Sequence, residues 1–281
     1  MSGVDWGLSG RRVVVTGGSR GIGAACCRFF AGAGAAVLVQ YRAEQEKAAS
    51  LLAELDELRA GPKLGQGPKL ETTAPAPGKE APASGGLPAR HLMHRCDLRE
   101  ERAVGELFAV VEAAWGGLDV LVNNAGIWVE NPLACFDAAR MRETLEVNLV
   151  GPFLCAAAAL PLLARSADGA IVNVASTAGQ RGEPYYSPYA ASKGALIAAT
   201  RSWSGELAPR VRVNCVAPGW VVTDMTAEAL RERQEAVVEA IPLGRIASPE
   251  DIAGSVLFLA SRLARHITGA VVSVNGGSVL A

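Results

Sequence analysis

An α/β chain with a doubly wound, mostly parallel sheet covered by helices on both faces is predicted by three observations. Short β-branched runs alternate with longer helical stretches along almost the whole sequence. Seven of the short runs are spaced by helices long enough to make right-handed crossovers. A glycine-rich turn joins the first run to the first helix, where such folds bind phosphate.

The elements follow in order. Val13 to Thr16, a run of valines closed by threonine, reads as the first strand, and Ile22 to Ala33 as the helix after it. Ala36 to Tyr41 and Ala43 to Ala60 repeat the pair, as do His91 to Arg95 with Glu100 to Trp115 and Asp119 to Val122 with Ala138 to Ala164. Ala170 to Ala175 leads to a helix at Pro188 to Leu207, Arg212 to Val216 to one at Pro249 to Ser261, and Ala270 to Val274 closes the sheet. Strands are assigned by short β-branched runs and helices by longer apolar periodicity. At 281 residues the length prior gives about two domains, but single α/β domains reach this size, and residues 1–281 are read as one.

Gly61 to Arg90 breaks the rhythm with six Pro, six Gly and no aromatic residue. Such a composition buries too little apolar area to offset its ordering entropy. It reads as a flexible insertion, either a tolerated expansion or a partner-binding segment. Because it joins a helix to the next strand, it belongs at the end of the sheet away from the ligand crevice.

Composition narrows the function. The 27 basic and 28 acidic residues leave a net charge of −1, without the basic excess of a nucleic-acid binder. Half the residues are hydrophobic and only 5% aromatic, so small aliphatics fill a real core. The longest strongly apolar run, Phe153 to Leu163, is too short to span a bilayer and contains Pro161. Met1 to Arg12 has no signal-like apolar stretch. A cytoplasmic protein is therefore expected. Cys26, Cys27, Cys96, Cys135, Cys155 and Cys215 form no C-x-x-C pair and read as inert core thiols rather than a metal or redox site. His91 and His94 would point to opposite faces of a strand, so no metal site is expected.

The turn Thr16-Gly17-Gly18-Ser19-Arg20-Gly21-Ile22-Gly23 lets backbone approach a pyrophosphate, whose charge the helix N-terminus attracts. An acidic side chain after the second strand would hold a ribose 2′-hydroxyl and repel a 2′-phosphate. Here stand Gln40, Tyr41 and Arg42, and Arg20 and Arg42 can both offer guanidinium forks to a phosphate. NADP is favoured over NAD.

In Ser187-Pro188-Tyr189-Ala190-Ala191-Ser192-Lys193, Ser187 suits an N-cap and Pro188 the first helical position. Tyr189 and Lys193 then share one face a turn apart. A neighbouring ammonium favours phenolate, which would fit a tyrosine for proton transfer to a carbonyl oxygen. Tyr185 and Tyr186 are too far from Lys193 along the chain for the same contact.

These motifs resemble those of the short-chain dehydrogenase/reductase family. The turn at 16–23, Asn123-Asn124-Ala125-Gly126 after the fourth strand, Ser176 after the fifth, Tyr189 with Lys193, and Pro218-Gly219 after the sixth stand in that family's order and spacing. The run 123–130 and the ending Asn275-Gly276-Gly277 are similar to the 3-oxoacyl-[acyl-carrier-protein] reductase-like branch. The resemblance implies a Rossmann-type fold and a catalytic set of Asn148, Ser176, Tyr189 and Lys193. Tyr189 would protonate the carbonyl, Lys193 lower its pKa and hold the nicotinamide ribose, Ser176 bond the carbonyl oxygen, and Asn148 orient a water. It implies cofactor contacts from Gly17, Ser19, Arg20, Gly21, Ile22, Gly23, Tyr41, Arg42, Asp97, Leu98, Asn124, Ala125, Gly126, Pro218, Gly219, Val222 and Thr223.

The expected activity is NADPH-dependent reduction of a β-ketoacyl thioester or another small carbonyl compound. A sugar- or steroid-type secondary-alcohol dehydrogenase and a non-catalytic NADP sensor are the alternatives. Substrate choice is expected of Thr177 to Tyr186 and of a lid at 220–246, where Arg181, Arg231 or Arg233 could receive an acyl carrier protein. A homotetramer is expected through helices 138–164 and 188–207.

Overall fold

The computed structural model describes residues 5–60 and 90–280. Strands β1 (Arg12–Val15), β2 (Ala36–Tyr41), β3 (Leu92–Arg95), β4 (Val120–Asn123), β5 (Gly169–Val174), β6 (Val211–Pro218) and β7 (Val271–Val274) form one sheet in the order β3-β2-β1-β4-β5-β6-β7. Every neighbouring pair is parallel, so the sheet is wholly rather than mostly parallel. The helices are α1 (Gly21–Gly32), α2 (Gln45–Ala60), α3 (Glu101–Trp115), α4 (Ala138–Leu145), α5 (Gly151–Leu163), α6 (Ala178–Arg181), α7 (Ser187–Leu207), α8 (Ala227–Glu239) and α9 (Pro249–Ala260).

Strand pleating sends alternate residues to two separate cores. Val13 and Val15 pack with α1, α2 and α9 through residues such as Phe30, Leu55 and Ile252. Val14 goes the other way, to α3, α5 and α7, beside Leu107, Leu163 and Trp203. Register pairs Val14 with Leu38 and with Leu121, so one apolar row crosses adjacent strands, and a one-residue slip would exchange the faces.

The structure departs from the sequence reading at several points. Element ends shift by one or two residues, as helix and strand boundaries commonly do. The stretch read as one helix at 138–164 contains a π-helical turn at Glu146–Val150 between α4 and α5. As folded, Ala138–Leu163 is long and apolar enough to cross a membrane by length and composition, which the shorter run read from sequence was not. Here Cys155, Ala156, Ala159, Leu162 and Leu163 bury in the second core. The short α6 and the whole of α8 were unforeseen; in α8, Leu230 and Val237 pack against Ile241. Five cysteines are buried, whereas Cys135 is exposed. Residues 61–89 of the insertion lie outside the described residues; its flanks, the end of α2 and Arg90, meet the sheet where the strands begin.

At that same end, ionic contacts tie four strands' starts together. Arg12 Nε donates to Asp119 Oδ2 at 2.8 Å and Ser166 Oγ to Asp119 Oδ1 at 2.7 Å. Arg11 pairs with Asp168 at 2.9 Å, and Arg212 with Asp168 at 3.4 Å while donating to Leu259 O at 2.7 Å. Burial pushes the Asp119 carboxyl up, but Arg12 and Ser166 together hold it below its ordinary 3.8. Removing one partner from a buried pair strands the other, so Asp119→Ala should lower unfolding free energy by about 3 kcal/mol in urea titrations. A depressed folded pKa adds stability above the unfolded value that is lost as pH falls through the folded one. Asp119→Asn should therefore flatten the loss of stability below about pH 4.

Candidate active site

The crevice opens beyond the carboxyl ends of β1 and β4, where the strand order reverses and the connecting chains leave to opposite faces. Thr16 holds the two exits together. Its Oγ1 accepts the amides of Asn124 at 2.9 Å and Ala125 at 3.1 Å, and donates to Val122 O at 3.2 Å. Asn124 Nδ2 returns bonds to the carbonyls of Thr16 at 2.9 Å and Gly17 at 3.1 Å. The turn is consequently so close to the β4 loop that a Cβ on Gly17 would lie 2.9 Å from Ala125 Cα. Gly17 also has φ +61°, a left-handed conformation glycine adopts without steric cost.

Gln40 fixes the other side of the turn. It is buried, accepts Gly17 N at 2.7 Å through Oε1 and donates to Cys96 O at 2.6 Å. The α1 N-terminus has Arg20 in the cap position with extended backbone, no side-chain cap and no acidic residue in its first turn. Amides left uncapped at a helix start, with the dipole behind them, suit an anion.

One cleft is lined by Gly17, Ser19, Arg20, Gly21, Ile22, Tyr41, Arg42, Asp97, Leu98, Asn124, Ala125, Gly126, Ser176, Tyr189, Lys193, Pro218, Gly219 and Thr223. Three residues of the sequence reading lie off it. Gly23 sits beneath the turn, where a Cβ would strike Gly17 O. Val222 is 56% exposed, its amide bonded to Ala247 O at 2.9 Å. Asn148 is fully buried. The sequence reading missed Ile127 and Asp224 as parts of the site, and named Thr16 and Gln40 within their motifs without giving either a role. Gln40, an amide in an otherwise apolar strand, carried a signal; Asp224 carried none.

Charges at the rim are already paired. Asp97 accepts the Arg99 guanidinium at 2.6 Å, which holds its carboxyl below the usual range. Asp224 takes Lys47 at 3.1 Å and Arg20 at 3.6 Å, tying the chain after β6 to α2 and the glycine turn. Arg42 lines the cleft between them.

Tyr189 and Lys193 stand one turn apart on α7. The helix begins at Ser187 with Tyr186 in the cap position and no side-chain cap, so Ser187 is its first residue and not its N-cap. Lys193 Nζ donates to Val174 O at 2.9 Å and lies 5.9 Å from the Tyr189 ring centroid. The lysine is 4% exposed, and burial pulls its pKa down to about 8. Burial likewise pushes Tyr189 up to about 12, against a lowering hydrogen bond from Ser176. In this state burial, not the ammonium, dominates the phenol, contrary to the sequence reading. Ser176 Oγ also accepts the amide of Ala178 at 3.1 Å.

Asn148 occupies the π-helical turn, a feature that often marks functional sites. Its Oδ1 accepts Ile127 N at 2.8 Å, and its Nδ2 donates to Ile127 O at 2.9 Å and Ser192 Oγ at 3.2 Å. Its side chain thus pins the β4 loop to α7. A Cβ on Gly126 would meet Asn148 Oδ1 at 3.3 Å and Lys193 Nζ at 3.4 Å, so glycine lets the loop pass close over both. Among the described residues no group of three or more His, Cys, Asp or Glu is placed to hold a metal ion.

Fold and cleft together define an oxidoreductase of the Rossmann type with a Tyr-x-x-x-Lys pair. A family model described as enoyl-(acyl carrier protein) reductase matches residues 76–278, and one described as short chain dehydrogenase matches residues 11–65. The chain is 35% identical over 271 residues to the 3-oxoacyl-[acyl-carrier-protein] reductase FabG of Aquifex aeolicus, covering 96% of this chain and 98% of that one. It is 34% identical to the FabG of Thermotoga maritima, covering 97% and 99%. Among solved structures, a short-chain dehydrogenase/reductase described as glucose/ribitol dehydrogenase from Brucella melitensis superposes with TM-score 0.84 at 32% identity, with both chains fully covered. The chain belongs to the short-chain dehydrogenase/reductase family and is a FabG-like oxidoreductase within it.

Lysine titration tests the buried pair directly. With the lysines isotopically methylated and no dinucleotide present, NMR should show one amine titrating at about 8 that Lys193→Met removes. A value near the ordinary 10.5 would mean the amine is solvated.

Proposed function

We propose that the protein reduces a ketone to a secondary alcohol with NADPH, acting on a β-ketoacyl thioester or a similar small carbonyl compound. The observation that carries this reading is the continuity of one cleft from the uncapped α1 N-terminus to the Tyr189 and Lys193 pair. The residues present fit a dinucleotide: Gly17 and Gly23, where a Cβ would strike the β4 loop or the turn itself, let the turn stay compact, and the uncapped α1 N-terminus beside it lines the cleft where a pyrophosphate would sit.

When bound, the dihydronicotinamide supplies a hydride to the carbonyl carbon. Tyr189 Oη gives a proton to the oxygen as charge develops there, and the Ser176 hydroxyl donates a hydrogen bond to that same oxygen. Lys193, held by Val174 O, keeps a positive charge below the phenol and offers donors to ribose hydroxyls. Asn148 acts here as a positioning residue through Ile127 and Ser192.

NADPH is favoured over NADH because β2 ends without a carboxylate and Arg20 and Arg42 line the cleft there. Arg20 would exchange its long contact with Asp224 for the 2′-phosphate. The names of the FabG relatives support an acyl carrier protein as donor of the substrate, with Arg181, Arg231 and Arg233 on the side where it would dock. The same relatives support a cytoplasmic location. Residues 220–246 serve as the lid, and exposed Val150, at the end of the π-helical turn, and Phe153 on α5 support a homotetramer.

Tyr189→Phe should keep NADPH binding, read by cofactor fluorescence, while kcat drops by about a hundredfold or more; near-normal turnover would defeat the mechanism. Arg42→Asp should lower the ratio of kcat/KM with NADPH to that with NADH by about tenfold, measured in parallel initial-rate assays. An unchanged ratio would refute the assignment of Arg42.

A further inference from the structure

Three loops leaving the carboxyl ends of the sheet bring aromatic rings together beyond Tyr189. Trp128 follows cleft-lining Ile127, Trp220 follows cleft-lining Gly219, and Tyr186 stands three residues before Tyr189. The rings of Trp128 and Tyr186 stack at 4.4 Å with planes 11° apart, and Trp220 meets Trp128 edge-on at 5.8 Å and 88°. The chain has 5 Trp and 4 Tyr, of which two Trp and two Tyr stand in these loops, with Tyr189 just beyond them on α7, a concentration that burying the main cores does not require. All three stacked rings are half-buried, so part of their surface faces outward. Tyr185, 66% exposed, has φ +69°, a left-handed conformation that is uncommon outside glycine and concentrates at functional sites. Its carbonyl accepts Asn131 N at 2.8 Å, which fixes the turn that places Tyr186 on Trp128.

A carboxylate adjoins this stack. Glu183 opens the turn that ends at Tyr186, whose amide donates to Glu183 O at 3.2 Å; it is half-buried, and burial pushes its carboxyl up against the lowering influence of Trp128, Arg181 and Arg233. Its own charge is felt at Tyr189. A carboxylate has about four acceptor positions, which a half-buried site must fill. A straight acyl chain laid here would cover the carboxylate without replacing its water, which is unfavourable. A flat ring bearing a donor meets both features, since ring faces stack on indole and phenol.

We propose that Trp128, Tyr186, Trp220 and Glu183 form a recognition subsite for a cyclic or aryl ketone whose ring carries a hydroxyl group, with that hydroxyl donating to Glu183. The inference rests on the ketone reduction proposed above and names its substrate class. The subsite holds the ring, and Tyr189 takes the carbonyl end.

Calorimetry on the full chain with oxidised NADP present compares para-hydroxyacetophenone with para-methoxyacetophenone, alike in shape except for the donor. The hydroxyl compound should bind about tenfold tighter or better, Glu183→Gln should remove the preference, and Trp128→Leu should weaken both ligands. Trp128→Phe, which keeps a ring, should restore binding of the methoxy compound and so separates stacking from misfolding. Equal affinity for the two ketones, or a preference that survives Glu183→Gln, would overturn the subsite. If the preference is present but no ketone oxidises NADPH, the subsite stands and the reductase reading falls; if ketones are reduced without ring preference, the subsite alone falls.

Discussion

The site depends on one small hydroxyl. Two parallel strands, β1 and β4, must stay paired up to the point where their continuations diverge, and there the ladder of backbone bonds runs out. Thr16 Oγ1 replaces it, taking two amides and giving one bond to Val122 O, while Asn124 ties the same loops from the other side. Thr16 is 1% exposed, so each amide it lost would be buried without a partner, at about 1–3 kcal/mol apiece. The close approach of Gly17 to Ala125, and with it the opening of the α1 N-terminus toward the cleft, follows from that clamp.

Most of the fold was legible because burial on both faces leaves a strong mark on parallel strands. Runs such as Ala36-Val37-Leu38-Val39 cannot be solvated on either side, and the structure buries every residue of β2. Where burial is partial the mark fades. The helix α8 packs only Leu230 and Val237 inward, too sparse a stripe to distinguish from a polar loop. The π-helical turn at Glu146–Val150 was illegible for another reason: one extra residue in a helix changes the phase of the apolar stripe without changing its composition, and α5 after it is apolar on most sides.

The site was legible in its parts and less so in its electrostatics. Spacing alone puts Tyr189 and Lys193 on one face, and glycines mark the turn. Depth is a tertiary property, however, and depth governs their protons. Nothing in Tyr-Ala-Ala-Ser-Lys says that the lysine lies 4% exposed beneath Val174, where burial pulls its pKa to about 8. Asp224 was invisible for a similar reason, since its partners Lys47 and Arg20 come from segments far away in the chain. Asn148 was found by resemblance, yet what its side chain holds, the backbone of Ile127, could be seen only once the loop was in place.

The same burial suits Tyr189 to the proton step of the proposed reduction. A phenol held at about 12 is a weak acid in water, but the group it must protonate is an alkoxide, whose conjugate acid lies close to water's value of about 15.7. Proton transfer from Tyr189 to that oxygen is therefore downhill even without help from Lys193. In the opposite direction the tyrosine would have to act as a base, and with a pKa near 12 almost none of it is ionised at neutral pH. The reverse step passes through the same transition state from that small ionised fraction, and the overall equilibrium of the reaction, not the phenol, decides its net direction. Lys193 is buried by the fold itself, on α7 against the end of β5, and Tyr189 is half-buried beside the cleft, so this environment is in place before any ligand enters.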